Sequence, residues 1–363
     1  MKKRFIPIFA TLFSLLLFTV AFAETLQIYF LDVGQGDSSL IIASTGEVVL
    51  IDSGPDENII LNHLKKIGIN HIDLLIASHP HADHISGMDK IIDIYKPRAY
   101  MDPGVPHTTK TYERVLQAVK RNEVKYYQAT ERRIKLGPLL ISVLPPADPL
   151  IEESSLNNNS AVIRLDYGDV SFLFPGDIEK ERENQLIQVA KDKLNIDVLK
   201  VPHHGSSTGT TIAFLQATTP DVGVIFCGKG NNYGHPHEET LEALQSFGIQ
   251  IYRTDVNGTI LVETDGKTYR VILERGEEYR GPPALKPTGL STPTPAPTVS
   301  PAPTPATEEP TVTYKYIASK GSDVFHHISC SHAQRIKPEN KIYFSTREEA
   351  IASGRRPCKV CKP

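Results

Sequence analysis

Residues 78–84, Ser-His-Pro-His-Ala-Asp-His, close the apolar run Ile72-Asp-Leu-Leu-Ile-Ala77 and place His79, His81, Asp83 and His84 within six positions. The apolar run has the length and composition of a buried strand. An exposed loop could carry the polar residues that follow. His-x-His followed by Asp-His, however, sends side chains to two sides of one sharp turn, which suits two metal ions side by side. Imidazole and carboxylate are borderline-to-hard donors, matched to zinc or manganese.

Further along the chain the same juxtaposition recurs. Strands are expected in "LQIYFLDV" (26–33), "EVVLID" (47–52), "VIRLDYG" (162–168), "VSFLFPGD" (170–177), "IDVLKVPHH" (196–204) and "VGVIFCG" (222–228). Amphipathic helices are expected in "NIILNHLKKIG" (58–68), "TYERVLQAVKR" (111–121) and "EETLEALQSFG" (238–248). The class is α/β. Strand ends bring up Asp52, His79, Asp177 and His203, where a layered α/β fold presents a site. Asp177 suits a bridging carboxylate between two ions, which together acidify water and clamp both oxygens of an in-line displacement. Only one of the neighbours His203 and His204 is expected to bind metal. The other, with His235 and His237 of "GHPH", is a candidate to protonate a leaving alkoxide or hold a phosphate oxygen. "GQGDS" (34–38) follows a strand and reads equally as an anion-approaching backbone or a plain turn.

The chain has 363 residues, 40% of them hydrophobic, and a net charge of −3, which excludes wholesale disorder. Residues 1–23 combine a basic start, an apolar stretch and Ala21-Phe22-Ala23, a signal-peptide pattern with cleavage expected after Ala23; an uncleaved anchor is the alternative. Export to a secreted or cell-surface location follows, with no membrane span elsewhere. Residues 281–310, rich in Pro, Thr and Ala, read as an extended linker between a 24–280 domain and a 311–363 domain.

Taken in order, "FLDVGQGDSSLI", "LIDSG", "HPHADH", "NNNSAVIRL", "FLFPGDI", "VPHHGSS" and "YGHPH" resemble the metallo-β-lactamase fold, and more narrowly the hydrolase domain of ComEC-type DNA-internalisation competence proteins, across about residues 26–275. That resemblance implies an αββα sandwich and two divalent metals, zinc or manganese. It implies His79 and His81 on one ion, Asp83, His84 and His204 on the other, Asp177 between them, and Asp52 orienting ligands from behind. Many superfamily members have a further histidine between the box and "PGD"; here that interval offers only His107, read as a loop residue, with "NNNS" (157–160) at the expected place. The first metal is then short of a ligand, leaving room for a substrate oxygen. Surface-attached phosphorylcholine esterases of this fold share the lack, and both resemblances point to phosphoesters rather than β-lactams.

In the last domain His326-x3-Cys330 and Cys358-x2-Cys361 have the spacing of a closed tetrahedral zinc site. A disulfide is the alternative. Three clustered cysteines would leave one unpaired, Cys227 being remote, so zinc is favoured. "FSTREEAIASGRRPCKVCKP" resembles the metal-binding domain of the Ada DNA-repair protein, in which the first ligand is a methyl-accepting cysteine; His326 stands there instead. The expectation is therefore a zinc-stapled fold without that acceptor.

Residues 24–283 carry 25 Lys and Arg against 36 Asp and Glu, and residues 311–363 carry 10 against 4. Lys337, Lys341, Arg355, Arg356 and Lys359 are candidate phosphate contacts. The expected function is an exported two-metal phosphodiesterase or nuclease acting on DNA. The alternatives are an esterase for a cell-surface phosphoester such as phosphorylcholine, or a non-catalytic DNA-binding protein.

Overall fold

The computed structural model describes residues 25–276, 279 and 280, and, between 316 and 358, all but 321, 328–332, 334, 335, 337–339, 345, 346 and 354. The expected leader (1–23) and expected linker (281–310) lie outside the described residues. The chain divides into two compact units, Met1–Gly289 and Leu290–Pro363.

In the first unit one sheet has nine strands, in the order Tyr279–Arg280, Tyr269–Leu273, Ile260–Thr264, Leu26–Phe30, Ser39–Ala43, Val48–Ile51, Leu74–Ile76, Ala99–Asp102 and Lys125–Gln128. The second has seven, in the order Gln250–Arg253, Val222–Ile225, Val198–Lys200, Val170–Phe174, Val162–Tyr167, Leu139–Leu144 and Arg132–Leu136. The sheets share a core in which Phe30 lies 5.9 Å from Phe174 and 5.8 Å from Phe226, ring centre to ring centre. Helices Glu57–Ile67, Met88–Tyr95 and Lys110–Arg121 cover the outside of the first sheet. Lys180–Val189, Ile212–Thr218 and Glu238–Ser246 cover the second. This is the αββα sandwich.

Its layering explains the sequence pattern. In Val48–Ile51, Val49 and Ile51 enter the core between the sheets, whereas Val48 and Leu50 pack under the helices. Both faces are buried, so the strand reads as a continuous apolar run. Each sheet also contains a parallel block. Val48–Ile51, Leu74–Ile76, Ala99–Asp102 and Lys125–Gln128 run together in one. Val170–Phe174, Val198–Lys200, Val222–Ile225 and Gln250–Arg253 run together in the other. Loops leaving the carboxyl ends of a parallel block converge, and that is where α/β sheets place ligands.

One buried acid secures the loop after His204. The Glu183 carboxylate accepts from the backbone N–H of Thr210 and, at 2.9 Å, of Thr211, just before the helix Ile212–Thr218. Burial outweighs these hydrogen bonds and pushes its pKa up to about 7. Because the folded pKa lies above the unfolded value, this group favours folding most below pH ~4.5, and that contribution is lost as pH rises through 7. The wild type is expected to lose up to roughly 3 kcal/mol relative to Glu183→Gln between pH ~4.5 and ~8. Urea unfolding of both proteins across that range checks it; parallel curves would exclude Glu183 as the cause.

The second unit is built on a four-stranded sheet in the order Lys341–Phe344, Tyr316–Ser319, Val324–His327 and Arg356–Pro357, with the helix Arg347–Ala352. Its described core is small: Ile317, Ala333 and Cys358 in one cluster, Ala318, Phe325, Phe344 and Ala350 in another. Cores of this size commonly need a staple.

Candidate metal centre

The polar groups of the centre come from strand ends and the segments that follow them. Leu74–Ile76 runs into Ser78 and His79, and His81 caps the short helix Ala82–Ile85, which carries Asp83 and His84. Val170–Phe174 runs into Gly176 and Asp177; Gly176 has φ +63°, and a Cβ there would meet the side chains of Ser160 and Ser78 at 2.9 and 3.0 Å. Val198–Lys200 leads to His203 and His204, whose φ values of 46° and 54° are left-handed. Two successive non-glycine residues in that region cost of order 1–3 kcal/mol each, the kind of strain that clusters at functional sites.

Among the described residues Asp37, His84, Asp177 and His204 are buried, and each offers a donor atom within 4.8 Å of the others. His84 Nε2 lies 3.1 Å from Asp177 Oδ2, and His204 Nε2 lies 3.2 Å from both Asp177 Oδ2 and Asp83 Oδ2. On its other side His84 Nδ1 lies 2.9 Å from Asp52 Oδ2, and Asp52 also accepts from Ser78 N and Oγ at 2.7 Å each. Asp52 therefore stands behind His84 and directs its Nε2 into the centre. His79 is fully buried, its Nε2 is 2.9 Å from His81 Nδ1, and its ring centre is 4.1 Å from that of His84.

Electrostatics match a cation site. Four carboxylates gather here: Asp37 and Asp177 pair with Lys200, Asp52 with His84, and Asp83 with His204. Burial alone would lower the His84 pKa, yet Asp177, Asp37, Asp83 and Asp52 hold it well above the usual histidine range. His204 is raised well above that range too, against burial, by Asp177 and Asp37. Burial and then His84 push His79 the other way, well below that range. So dense a set of buried anions demands positive charge. Divalent cations among these nitrogen and oxygen donors supply it, so the donor set fits the expected metals.

The centre contains two residues that the sequence did not mark out. Asp37 Oδ2 lies 2.5 Å from Lys200 Nζ, and its Oδ1 lies 3.2 Å from His204 Nδ1. Lys200 is only 2% exposed and donates to Gly176 O at 2.7 Å and to Asp177 Oδ1 at 3.1 Å. Gly36 lets the 34–38 turn press on the box, because a Cβ there would lie 2.2 Å from the Asp83 carbonyl oxygen. The signals were a carboxylate just past the first strand and a lysine inside an apolar one.

Of the adjacent histidines, His204 points into the cluster and His203 stands at its rim, Nδ1 3.0 Å from Thr208 Oγ1 and 3.3 Å from Glu179 Oε1. His235 packs beside both, its ring centre 5.6 Å from His203 and 5.9 Å from His204. His107 lies on the 103–109 loop, 6.3 Å from His81 between ring centres. The "NNNS" stretch braces the centre from beneath: Asn158 Oδ1 accepts from Glu179 N at 2.8 Å, and Ala161 N donates to Ser78 O at 2.9 Å.

In the second unit, Val324–His327 pairs in parallel with Arg356–Pro357, and Cys358 N donates to Phe325 O at 2.9 Å. His326 and Cys358 thus leave neighbouring strands close together. Cys330 and Cys361 lie outside the described residues, as do Lys337 and Lys359. Of the remaining basic candidates, Lys341 opens an edge strand, Arg355 lies over the Phe344 ring, and Arg356 pairs with Asp323 at 2.9 Å.

Comparison with known proteins agrees with this construction. Residues 31–229 match the metallo-beta-lactamase superfamily, and residues 310–363 match the metal binding domain of Ada. ComE operon protein 3 of Bacillus subtilis is 32% identical over 254 residues, 64% of this chain and 32% of that protein. Recombination protein 2 of Haemophilus influenzae is 32% identical over 257 residues, 69% of this chain and 30% of that protein. Competence protein ComA of Neisseria gonorrhoeae is 27% identical over 234 residues, 63% and 31% of the two chains. The chain thus spans about a third of the length of these relatives. Because the superfamily match covers more than half of the chain, and the buried donors gather where its parallel strands end, the protein belongs to the metallo-beta-lactamase superfamily and is a metal-dependent hydrolase.

Proposed function

We propose that the protein is an exported two-metal phosphodiesterase that cleaves DNA. The observation that carries this reading is the buried group Asp37, His84, Asp177 and His204, flanked by His79, His81 and Asp83. His79 and His81 would hold one ion, Asp83, His84 and His204 the other, with Asp177 between them. Zinc or manganese bound there would supply an acidified water and neutralise charge developing on a phosphate. Asp52 keeps the His84 imidazole in register, and Lys200 holds Asp37 and Asp177 in place. In hydrolysis a water oxygen bonds to phosphorus, the ester P–O bond breaks, and the departing alkoxide takes a proton. His203 suits that last role by position: it stands at the rim of the cluster, held through Nδ1 by Thr208 Oγ1 at 3.0 Å and Glu179 Oε1 at 3.3 Å. Burial, then His204, His203 and His237, lower His235 to about 4, so at neutral pH it is uncharged and does not serve as the imidazolium acid.

Support for DNA as substrate comes from the kinship with a recombination protein and a competence protein, and from the basic last domain. Support for export comes from the 1–23 pattern. In the last domain one zinc on His326, Cys330, Cys358 and Cys361 would supply the missing staple.

The test is incubation of the purified chain, with manganese or zinc, with linear DNA, circular DNA and a chromogenic phosphodiester. Cleavage of DNA and of the small diester is expected. Turnover of the small diester alone would favour a cell-surface phosphoester. Turnover of none, with DNA still bound, would favour a binding protein.

A further inference from the structure

Three rings form a column from the metal centre to solvent. The buried His204 ring lies 5.9 Å from that of His235 at an interplanar angle of 27°. His235 lies 5.6 Å from Tyr233 at 19°. Tyr233 is 68% exposed. Its ring packs against His235 and is otherwise largely exposed.

The perch beneath this tyrosine is braced. The Asn231 side-chain amide donates to the carbonyls of Gly228 at 3.0 Å and His235 at 2.6 Å, and its Oδ1 accepts from Tyr233 N at 3.1 Å and His235 N at 3.0 Å. His237 Nδ1 accepts from Ser207 N at 2.9 Å, and its Nε2 lies 3.2 Å from Tyr233 O. The loop is thereby closed on itself and tied to the segment that follows His204. Hydrolysis as derived above has no use for Tyr233. A solitary exposed aromatic is ordinary on a protein surface. One held in offset stacking at the end of a ring column that begins at a candidate metal ligand is a prepared stacking surface.

We propose that Tyr233 is a platform on which a nucleobase of the substrate stacks while a neighbouring phosphate occupies the metal centre. This rests on the phosphodiesterase reading and narrows it to nucleoside phosphodiesters. Every base has a π-face, so such a contact adds affinity without selecting sequence. The ring is already ordered on His235, so little conformational freedom is lost when a base lands on it. A diester of small alcohols gains nothing from it.

Two oligomers of equal length isolate the contact: an oligothymidylate, and an abasic analogue with the same phosphates and no bases. Phosphorothioate forms, which resist cleavage, report binding to the full chain, and ordinary phosphodiester forms report turnover. The wild type is expected to prefer the base-bearing oligomer. Tyr233→Ala should lower that preference about tenfold in affinity and in kcat/KM, chiefly through KM, while Tyr233→Phe retains it. If Tyr233→Ala weakens both oligomers equally, the ring merely supports His235 and the inference is overturned. A wild type without preference, or a preference indifferent to Tyr233→Ala, overturns it too. Binding that responds to Tyr233 in a protein that cleaves neither oligomer would overturn the phosphodiesterase reading and leave the platform standing.

Discussion

Asp177→Asn is expected to lower turnover of DNA and of a small phosphodiester alike, by about a thousand-fold or more, with the fold retained. Asp177 stands at the meeting point of the centre: its Oδ2 faces His84 Nε2 and His204 Nε2 at 3.1 and 3.2 Å, and its Oδ1 faces Lys200 Nζ at 3.1 Å. Burial is the largest influence and pushes its pKa up, but His204, then His84 and Lys200, together hold it well below the usual carboxylate range. It is therefore an anion throughout the working pH range, and asparagine deletes that charge at nearly constant shape. Metal-derived stabilisation of a reacting phosphate is worth several kcal/mol, and a loss of about 4 kcal/mol is roughly a thousand-fold. Lys200 keeps Asp37 as a partner at 2.5 Å, so the substitution does not strand a buried ammonium. The checks are steady-state rates with saturating manganese or zinc, metal content by mass spectrometry, and a thermal melt in chelator. Activity within tenfold of wild type in a folded Asp177→Asn protein would sink the two-metal mechanism.

Most of this centre was legible because its chemistry is written at strand ends. His79, Asp177 and the His203/His204 pair each follow an apolar run, and the αββα sandwich brings the carboxyl ends of its two parallel blocks together. Period and composition can announce a strand and a polar stop. They do not say which stops meet, because that depends on strand order, in which Leu26–Phe30 lies between Ile260–Thr264 and Ser39–Ala43. Asp37 shows the limit. In sequence it sits in a glycine-rich turn that serves many purposes; only the approach of Gly36 to the Asp83 carbonyl aims it at His204 and Lys200. Lys200 was hidden for the opposite reason, since a charge inside an apolar strand is costly unless paired, and both carboxylates that pair it come from elsewhere in the chain. His203 and His204 are neighbours of identical type, so one-dimensional pattern could not separate them. Their left-handed backbone does, turning one ring into the cluster and the other toward Glu179.

Deleting residues 311–363 is expected to cut the cleavage rate on long DNA about a hundred-fold at low salt, with little change for a small diester. The hydrolase region, residues 24–283, carries 25 basic against 36 acidic side chains, and the last domain 10 against 4. A polyanion would be repelled by the first at long range and drawn by the second, even though a metal-loaded centre would attract phosphate locally. A module on a tether raises the local concentration of what it binds at its neighbour's site without any contact between the two. Residues 281–310, rich in proline, would reach up to about 90 Å if extended. Counterion release then fixes the signature: a module that neutralises roughly four phosphates loses about a hundred-fold in affinity over a fourfold rise in salt. The gap between full-length and shortened protein should therefore close as salt is raised. Rates for both proteins on both substrates, measured across that salt series, decide the matter. An equal response of DNA and diester, or no response of either, would end the tethering account and make attachment at the cell surface the better explanation for the basic domain.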